Sequence, residues 1–312
     1  MGHPALTAIG IVAFVVAAVG LTARYVPSVN HPVLMAATLA PYLMLGAPLA
    51  VILFAVLRNW PVVALAGALT IATAAVQLPW QVATKADGPS TVRLVSANLR
   101  YGRADPVAVV RLAIAHADII AVQELTPELA DGLSAAGIGD SFPYAAVRAR
   151  EGPAGVGIWS RYPLRRGKDY DEFWLGLLTA HVRIPGTSDE AIVVSAHMSA
   201  PWPEPIHSWR ADLAQLRDTL LAIGSSGAAV MFAADLNATP DHLEFRRLLR
   251  SGYRDAAEQA GAGMTRTFPG AWRLPALFAL DHVLTRKCTA RTVTTVAVTG
   301  SDHRALVASI VL

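Results

Sequence analysis

The sequence predicts an α+β protein in which β-sheets pack on each other with helices outside them, preceded by three transmembrane helices. Three observations lead to this prediction. The first 80 residues contain no Asp or Glu and have three long apolar stretches. The remaining residues contain nine strand-like runs and only four helix-like runs, in mixed order. Such a mixture is typical of sheets that bury one face against each other under an outer layer of helices.

The N-terminal region has the composition of a membrane-embedded segment. The whole chain is 54% hydrophobic and only 16% charged, whereas soluble domains carry about 25% charged residues. The only charged side chains among residues 1–80 are Arg24 and Arg58, and both lie outside the apolar stretches. Each stretch is long enough to cross roughly 30 Å of hydrocarbon as a helix. We therefore expect a transmembrane region over residues 1–80, with helices at about 5–22, 33–57 and 61–80.

Three alternatives to three simple spans remain open, and the first is that the apolar stretches form buried helices of a protein core. A cleaved signal peptide would account only for the first stretch, and its start, MGHP, lacks the basic side chain of such peptides. The second stretch contains Pro41 and Pro48, so a kinked helix or a shallow re-entrant segment is the third alternative. Trp60 and Trp80 bracket the third stretch, as aromatic residues do at membrane interfaces.

Charges near the spans bear on which side of the membrane carries the soluble domain. Arg24 and Arg58 fall in different loops, so the positive-inside count is tied. Lys85 and Arg93 favour a cytoplasmic domain. Large domains translocate largely regardless of charge, however, and the first span has the form of a start-transfer signal. We therefore expect a multi-pass protein of the cell membrane whose soluble domain is extracytoplasmic.

The soluble part follows a linker. Residues 81–91, QVATKADGPST, are polar and rich in turn-forming residues. The domain that follows, residues 92–312, is long enough to bury one large core. Its predicted strands are 92–98, 118–123, 155–160, 174–184, 191–197, 228–234, 281–285, 292–298 and 304–312. Its predicted helices are 106–117, 127–136, 204–223 and 241–251.

Local signals support several of these elements. The pairs Asp105–Pro106 and Thr126–Pro127 are typical of an N-cap followed by a proline in the first helical turn. The strands at 174–184 and 191–197 flank the short sequence GTSDE and predict a β-hairpin.

Charge and cysteine content exclude some functional classes. Residues 81–312 hold 24 of the 26 Lys and Arg and all 23 Asp and Glu, so the soluble part is nearly neutral despite a sequence pI near 9.2. No basic run is longer than Arg165–Arg166, which counts against a protein that binds duplex DNA. The single cysteine, Cys288, rules out a disulfide within the chain and a cysteine-based zinc site.

Polar side chains lie at the ends of six predicted strands, beside apolar runs. They are Asn98, Glu124, His197, Asp235 with Asn237, Asp281, and Asp302 with His303. Each of them alone is more typical of a strand-end cap or a turn than of a functional site. Asp235 and Asn237 are two residues apart, so both point to the same side if the strand continues through them.

Taken together, these residues predict a metal-dependent hydrolytic site. Converging carboxylates repel each other unless a cation neutralises them, and carboxylate and amide oxygens are the ligands of hard divalent ions such as Mg²⁺ or Mn²⁺. His197 and His303 are candidate proton donors, or cations facing an anionic oxygen. Asp281 is a candidate for orienting one of them. The set favours attack on a phosphate ester by metal-assisted water.

Seven stretches of the soluble part resemble a known family. In order, they are SANLR, DIIAVQE, GVGIWSRYPL, VSAH, ADLNATP, TFPGAWRLPALFALDHVL and SDHRALV. They resemble the endonuclease/exonuclease/phosphatase superfamily, which includes DNase I-like nucleases, neutral sphingomyelinases and inositol polyphosphate 5-phosphatases. The resemblance, to a membrane-anchored bacterial member, spans residues 92–312. It implies a two-sheet β-sandwich flanked by helices, in four α/β/β/α layers, with the site at one edge.

The resemblance also implies a metal site. Glu124 matches the principal Mg²⁺ ligand of the family. Asn98 and Asp302 match residues that help to hold the ion or its waters. Mg²⁺ is therefore the expected cofactor, with Mn²⁺ as the alternative.

Five further positions match catalytic residues of the family. Asp235 matches the residue that orients or deprotonates the attacking water, and Asn237 the residue that positions the phosphate beside it. His303, supported by Asp281, matches the histidine that stabilises charge developing on the phosphate. His197 matches the second histidine of the DNase-like and sphingomyelinase-like branches, a phosphate ligand or an acid toward the leaving group.

Some assignments stay open at this point. The family has an acid that supports the histidine matched by His197, and four residues compete for that place: Glu151, Asp169, Asp171 and Glu172. His282 is expected to be a packed or hydrogen-bonded strand residue that faces away from the site. Trp202 and Trp209 either form a rim over the site or pack in the interior.

The expected function is that of a membrane-anchored, Mg²⁺-dependent phosphodiesterase. Its substrate would be a phosphate ester in a lipid, in another envelope phosphodiester or in a short nucleic acid. A nuclease acting on DNA or RNA is the alternative. A non-catalytic module that binds or senses a phospho-ligand is an alternative of another class, against which intact Asp235 and His303 argue. No protein partner is implied.

Overall fold

A computed structural model describes residues 3–88, 90–270 and 275–312. Residue 89 of the predicted linker and residues 271–274 of the TFPGAWRLPALFALDHVL stretch lie outside the described residues. The chain forms two compact units. One comprises the N-terminal residues up to Pro79 together with Thr239–Arg246, and the other comprises Trp80–Ala238 together with Arg247–Leu312.

The N-terminal residues form apolar helices. They are α1 His3–Ala23, α2 His31–Thr38, α3 Ala40–Leu43, α4 Gly46–Val56 and α5 Trp60–Gln77, the last continued by a 3-10 turn at Leu78–Gln81. Two of the described helical segments, His3–Ala23 and Trp60–Gln81, are long and apolar enough to cross a membrane, and a third span results if the bent segments between them are counted as one.

The second predicted span is broken rather than straight. His31–Thr38 and Ala40–Val56 meet at an angle of 65°. Pro41 lies just after this bend. Proline has no N–H to donate to the carbonyl four residues earlier, and its ring collides with that carbonyl, so a straight helix is disfavoured there. The bend agrees with the kinked or re-entrant alternative that Pro41 and Pro48 suggested.

Small residues allow α1 and α4 to pack closely. The buried face of α1 carries Ala13, Ala17 and Gly20. A Cβ on Gly46, at the start of α4, would lie 2.3 Å from the carbonyl oxygen of Ala13. The two backbones therefore meet through small side chains, as is typical of helix pairs in membranes.

The second unit is the two-sheet sandwich that the resemblance implied. Its strands are β1 Thr91–Asn98, β2 Ile119–Gln123, β3 Tyr144–Arg148, β4 Val156–Ser160, β5 Leu164–Asp169, β6 Leu177–Val182, β7 Ala191–His197, β8 Val230–Asp235, β9 Arg254–Asp255, β10 Asp281–Arg286, β11 Thr289–Ala297 and β12 Arg304–Val311. Its helices are α6 Pro106–His116, α7 Pro127–Ala135, α8 Ile138–Ser141, α9 Ile206–Gly224 and α11 Ala256–Gln259, while α10 Leu243–Leu249 runs across the boundary between the units.

The described strands form two six-stranded sheets. Their orders are β11-β12-β1-β2-β4-β3 and β5-β6-β7-β8-β10-β9. The predicted hairpin is confirmed, because β6 and β7 pair antiparallel. So are both predicted N-caps: Asp105 accepts from the backbone of Ala108, and Thr126 from that of Leu129.

Side chains alternate between two cores along the central strands. On β1, Leu94 joins the core between the sheets, where Val193 and Met231 of the other sheet also lie. Val95 faces the opposite way, into a core shared with α6 and α7. This alternation follows from the two-residue period of a strand. It makes both faces of the central strands largely apolar, and the polar groups of the candidate site lie at the strand ends.

Strand register brings the predicted site residues to one edge of the sandwich. Asn98 is opposite Gln123 at the ends of the parallel strands β1 and β2. His197 is opposite Asp235 at the ends of the parallel strands β7 and β8. Asp281 begins β10 opposite the same Asp235, because β10 runs antiparallel to β8.

Beside this edge, the backbones at Gly155 and Leu125 lie so close together that only glycine fits at position 155. A Cβ on Gly155 would lie 1.8 Å from the carbonyl oxygen of Leu125. Gly155→Ala should therefore lower the free energy of unfolding by roughly 1–3 kcal/mol through overpacking. Urea unfolding followed by tryptophan fluorescence measures the change.

Gly139 offers the matched control, because a Cβ there would meet nothing within 4 Å. Gly139→Ala should change the free energy of unfolding by less than about 1 kcal/mol. Equal effects of the two substitutions would contradict the close approach at Gly155.

Candidate active site

Six buried polar residues converge at the edge of the sandwich. They are Asn98, Glu124, His197, Asp235, Asp281 and His303, each of which is at most 7% exposed. Two groups among the described residues have ligand atoms that all lie within 4.8 Å of one another: Glu124 with His197 and Asp235, and Asp235 with Asp281 and His303. Asp235 belongs to both groups and is the centre of the site.

The carboxylates of Glu124 and Asp235 are joined by one amide. The Nδ2 atom of Asn98 lies 2.9 Å from Glu124 Oε1 and 2.9 Å from Asp235 Oδ2, and donates to both. The backbone N–H of Tyr101 donates to the other oxygen of Glu124 at 2.6 Å. Neutral donors hold the two carboxylates in place but do not cancel their charge, so a cationic group is needed beside them.

Two imidazoles lie on either side of Asp235. The Nε2 atom of His197 is 3.7 Å from Asp235 Oδ2 and 3.7 Å from Glu124 Oε1. The Nε2 atom of His303 is 3.8 Å from Asp235 Oδ2, and its Nδ1 atom is 2.8 Å from Asp281 Oδ2. Both Nε2 atoms therefore face the space around Asp235.

The charges of these groups shift each other's pKa values. Burial alone would lower the pKa of His303, but the negative charges of Asp281 and Asp235 raise it to about 10. Burial raises the pKa of Asp235, and the charge of Asp281 raises it further, while His303 and His197 oppose the increase. At neutral pH His303 is therefore an imidazolium whose Nδ1–H donates to Asp281.

The second nitrogen of His197 faces a backbone carbonyl rather than an acid among the described residues. Its Nδ1 atom is 3.1 Å from the carbonyl oxygen of Pro153. A carbonyl only accepts hydrogen bonds, so Nδ1 carries a proton and Nε2 is protonated only in the imidazolium form. Three of the four acids proposed for this place pair with cationic residues instead: Asp171 with Arg148 and Arg150, Asp169 with Arg166, and Glu172 with Lys168 at 3.9 Å. The fourth, Glu151, has no hydrogen bond to His197 among the described residues.

The loop after β8 fixes Asn237 beside Asp235. The backbone N–H of Asn237 donates to Asp235 Oδ1 at 2.9 Å, and its side-chain Nδ2 donates to the carbonyl of Met198 at 3.0 Å. Trp209 is fully buried and donates its Nε1–H to the carbonyl of Leu236 at 3.1 Å. Trp209 thus packs in the interior, whereas Trp202 is 70% exposed.

Asp302 and His282 lie outside the two groups of clustered ligands. The Oδ2 atom of Asp302 lies 3.5 Å from Arg100 Nε. His282 faces away from the site, as expected, with Nδ1 2.6 Å from Asp255 and Nε2 2.8 Å from the carbonyl of Ala238.

Left-handed backbone conformations cluster at the site. Arg100, Tyr101, Glu124 and Asn237 have φ between 48° and 57°. This region disfavours side chains other than glycine, and such residues persist where the surrounding structure holds them. Sequence reasoning missed Arg100, Tyr101 and Pro153 as members of the site. Arg100 lies inside the SANLR stretch, but the roles of Tyr101 and Pro153 rest on backbone atoms, which leave no side-chain signal.

The donor set fits a hard divalent cation. Carboxylate oxygens dominate it, as Mg²⁺, Mn²⁺ and Ca²⁺ prefer. Asp281 Oδ1 is buried and has no hydrogen-bond partner among the described residues. A cation beside Asp235 would relieve the repulsion between the clustered carboxylates.

Comparison with known proteins places this geometry in a family. Residues 95–303 match the Endonuclease/Exonuclease/phosphatase family. No curated protein matches the chain.

Solved structures show the same fold. TDP2 from D. rerio, complexed with a single-strand DNA product, is 19% identical over 72% of this chain and 100% of its own, with a TM-score of 0.57. Sphingomyelinase C from Streptomyces griseocarneus is 18% identical over 70% of this chain and 99% of its own, with a TM-score of 0.52. The mannosyl-6-phosphatase of Bacteroides thetaiotaomicron is 14% identical over 71% of this chain and 100% of its own, with a TM-score of 0.55.

The raised pKa of His303 predicts a pH dependence of stability in the absence of metal. Between the unfolded pKa of about 6.5 and the folded pKa of about 10, the folded state retains a proton that the unfolded state has lost. The free energy of unfolding should therefore fall as pH rises through this window, by at most about 1.4 kcal/mol per pH unit from this group. Urea unfolding in EDTA at several pH values measures the slope.

His303→Gln should flatten this slope relative to the unsubstituted protein. The exposed His207 provides the control, because His207→Gln should leave the slope as it is. An identical slope in all three proteins would contradict the charged state assigned to His303.

Proposed function

Because the chain belongs to the endonuclease/exonuclease/phosphatase family, we propose that it is a membrane-anchored, metal-dependent phosphodiesterase. The observation that carries the proposal is the position of Asp235. Its carboxylate lies between the Nε2 atoms of two histidines and shares a hydrogen-bond donor with the carboxylate of Glu124. Such a site combines a base, two candidate acids and a place for a cation within one polar cluster.

Glu124 is the principal residue proposed to hold the cation, which we take to be Mg²⁺, with Mn²⁺ as the alternative. Asn98 keeps the carboxylate of Glu124 in place by its hydrogen bond of 2.9 Å. Asp302, paired with Arg100 at the partly exposed side of the site, would help to hold the ion or its waters. When bound, such an ion supplies positive charge to a phosphoryl oxygen and makes water a better nucleophile.

Asp235 is the proposed residue that orients and deprotonates the attacking water. Its Oδ1 is held by the backbone N–H of Asn237, and its Oδ2 by the amide of Asn98, so the carboxylate is fixed in one orientation. Its raised pKa makes it a stronger base than an exposed aspartate. Asn237 would position the phosphate next to this water.

The two histidines take different parts in the proposed mechanism. His303 is charged at neutral pH, and its Nε2–H would donate to a phosphoryl oxygen and stabilise the charge that develops there. Asp281 fixes the ring through Nδ1. His197 would contact the phosphate or, in its imidazolium form, protonate the leaving alkoxide from Nε2. The carbonyl of Pro153 keeps that nitrogen facing the site.

A phosphodiester in or near the membrane suits the remaining features. The soluble part is nearly neutral, with 24 Lys and Arg against 23 Asp and Glu over residues 81–312, so it lacks the excess of cations that duplex binding uses. Tyr101, Trp174 and Trp202 are exposed aromatic residues in loops, and the backbone of Tyr101 contacts Glu124. Aromatic side chains favour membrane interfaces, and they also stack on unpaired bases. Lipid or envelope phosphodiesters are therefore the first candidates, and single-stranded nucleic acid is the second.

Hydrolysis of bis-p-nitrophenyl phosphate by the full chain in detergent tests the activity. EDTA should abolish release of nitrophenol, and Mg²⁺ or Mn²⁺ should restore it. Asp235→Asn and His303→Gln should each lower kcat by roughly 10²–10⁴-fold, because each removes a group that handles a proton or a charge in the transition state. The exposed His207 gives the control variant, His207→Gln, which should keep full activity.

The same preparation distinguishes the substrate classes. Phospholipid vesicles and single-stranded DNA are supplied separately, and faster turnover of the vesicles supports the lipid candidate, whereas faster turnover of DNA supports a nuclease. Absence of metal-dependent hydrolysis in every assay, with phosphate still bound, would instead support a non-catalytic binding module.

The proposed location is the cell membrane, crossed several times, with the sandwich on its outer side. A reporter fused after Leu312 tests this orientation in a bacterial host. Alkaline phosphatase should be active in that position, because it folds only outside the cytoplasm. A fluorescent green fluorescent protein fusion, with inactive alkaline phosphatase, would show that the sandwich faces the cytoplasm.

A further inference from the structure

One peptide unit of the sandwich lies between helix α9 and the side chain of Asn237. Strand β7 ends at His197, and Met198 and Ser199 follow it. The carbonyl of Met198 accepts from Nδ2 of Asn237 at 3.0 Å. The N–H of Ser199 belongs to the same peptide unit and donates to Oδ2 of Asp212 at 3.0 Å. Both ends of this unit are therefore hydrogen-bonded, one to the candidate site and the other to α9.

The planarity of the peptide bond makes these two contacts depend on each other. The C=O and N–H groups of one peptide unit lie in a common plane and, in a trans bond, point in opposite directions. The bond between Met198 and Ser199 is not among the cis bonds of the described residues. The group that fixes the direction of the N–H therefore also fixes the direction of the carbonyl. Without an acceptor on Asp212, the unit would be free to rotate and to turn its carbonyl away from Asn237.

Asp212 holds this unit with two hydrogen bonds to one oxygen. The hydroxyl of Ser199 also donates to Oδ2 of Asp212, at 2.5 Å. Ser199 is buried and Asp212 is half-buried, so the contact is largely shielded from water. Hydrogen bonds to a charged acceptor are about twice as strong as neutral ones. A carboxylate on the N–H also polarises the carbonyl at the other end of the unit, which strengthens the bond from Asn237.

Other groups hold the chain only up to this unit. The backbone N–H of His197 donates to the carbonyl of Gly176 at 3.0 Å, and that of Met198 donates to the carbonyl of Asp235 at 3.0 Å. Both contacts involve peptide units that precede the one between Met198 and Ser199. Among the described residues, the N–H of that unit is held by Asp212.

Helix α9 also holds the backbone of Asn237. Trp209 donates from Nε1 to the carbonyl of Leu236 at 3.1 Å, and this carbonyl shares a peptide unit with the N–H of Asn237. Trp209 and Asp212 are three residues apart on α9, which makes them neighbours on one face of the helix. Asn237 has a φ of 48°, a conformation that persists where surrounding contacts hold it. One face of α9 thus contacts the backbone of Asn237 through Trp209 and its side chain through Asp212.

We infer that Asp212 is a positioning residue for the active site, which orients the amide of Asn237 through the peptide unit between Met198 and Ser199. A carbonyl only accepts hydrogen bonds, so its contact selects Nδ2 of Asn237 and fixes which way the amide faces. The inference rests on the proposed function, in which Asn237 positions the phosphate. A displacement of about 1 Å in such a residue is enough to slow a reaction by up to about 10²-fold.

Asp212→Ala in the full chain should lower kcat for bis-p-nitrophenyl phosphate by roughly 10–100-fold, because the amide of Asn237 loses its fixed orientation. The Mg²⁺ concentration that gives half-maximal activity should stay within about twofold, because Glu124 is held by Asn98 and by the backbone of Tyr101. Asp212→Leu has no acceptor either, and it replaces Asp212→Ala, with the same expectation, if the latter does not fold.

Asp212→Asn is the conservative variant. Its amide oxygen can still accept from the N–H of Ser199, although a neutral acceptor is about half as strong as a charged one. Its kcat should therefore stay within about fivefold of the unsubstituted protein. Asp218→Ala is the matched control, because Asp218 lies on the same helix, is exposed and pairs with the neighbouring Arg217. This control should leave kcat unchanged.

A double-mutant cycle separates positioning from general loss of stability. In an Asn237→Ala background, Asp212→Ala should lower kcat by less than about threefold, because the side chain that it positions is already absent. Equal loss in both backgrounds, an unchanged kcat in Asp212→Ala, or no recovery in Asp212→Asn would overturn the inference while leaving the proposed function intact. Absence of activity in the unsubstituted chain would instead overturn the proposed function.

Discussion

The crowding of buried carboxylates around Asp235 is the constraint around which the site is organised. Glu124 and Asp235 come from different sheets of the sandwich, yet oxygens of both lie within 4.8 Å of the same imidazole nitrogen of His197. Ionised groups in such an environment destabilise the fold unless opposite charge is supplied. The charged ring of His303 provides part of that charge, and the clustered ligand atoms are groups that could bind a divalent ion, which would provide the rest.

Strand pairing makes this crowding possible. The parallel pairs β1–β2 and β7–β8 bring carboxyl ends of strands to a common edge, and the antiparallel β10 begins at that edge. The apolar side chains behind the site occupy both faces of these strands and leave the polar groups little freedom to move apart. The left-handed backbone at Glu124 and Asn237 shows that local conformational preference has been overridden by these tertiary contacts.

Much of this architecture was readable from sequence because its signals are local. Long apolar strands ending in an acid or an amide, such as β8 with Asp235, carry both the strand and the candidate site in one pattern. The strands β3, β5 and β9 were missed because these edge strands bury less and lack the continuous apolar run that marks the central strands. β5, LRRGKD, is largely polar, and β9 has only two residues. The partner of His197 could not have been found, because a backbone carbonyl is the same in every residue. The bend after Thr38 was suggested by Pro41, but its angle depends on packing.

Arg24 and Asp241 form a buried ion pair that was not predicted from the sequence. There, Arg24 was used only to infer the orientation of the chain in the membrane. The ion pair has a practical consequence for anyone who wishes to prepare the sandwich as a water-soluble fragment. Removing residues 1–79 would remove the contacts of Asp241 with Arg24 and of Glu244 with Ser28. Both acids are buried in the full chain. A useful fragment would therefore need substitutions at Asp241 and Glu244 that suit exposure to solvent, in addition to removal of the apolar helices.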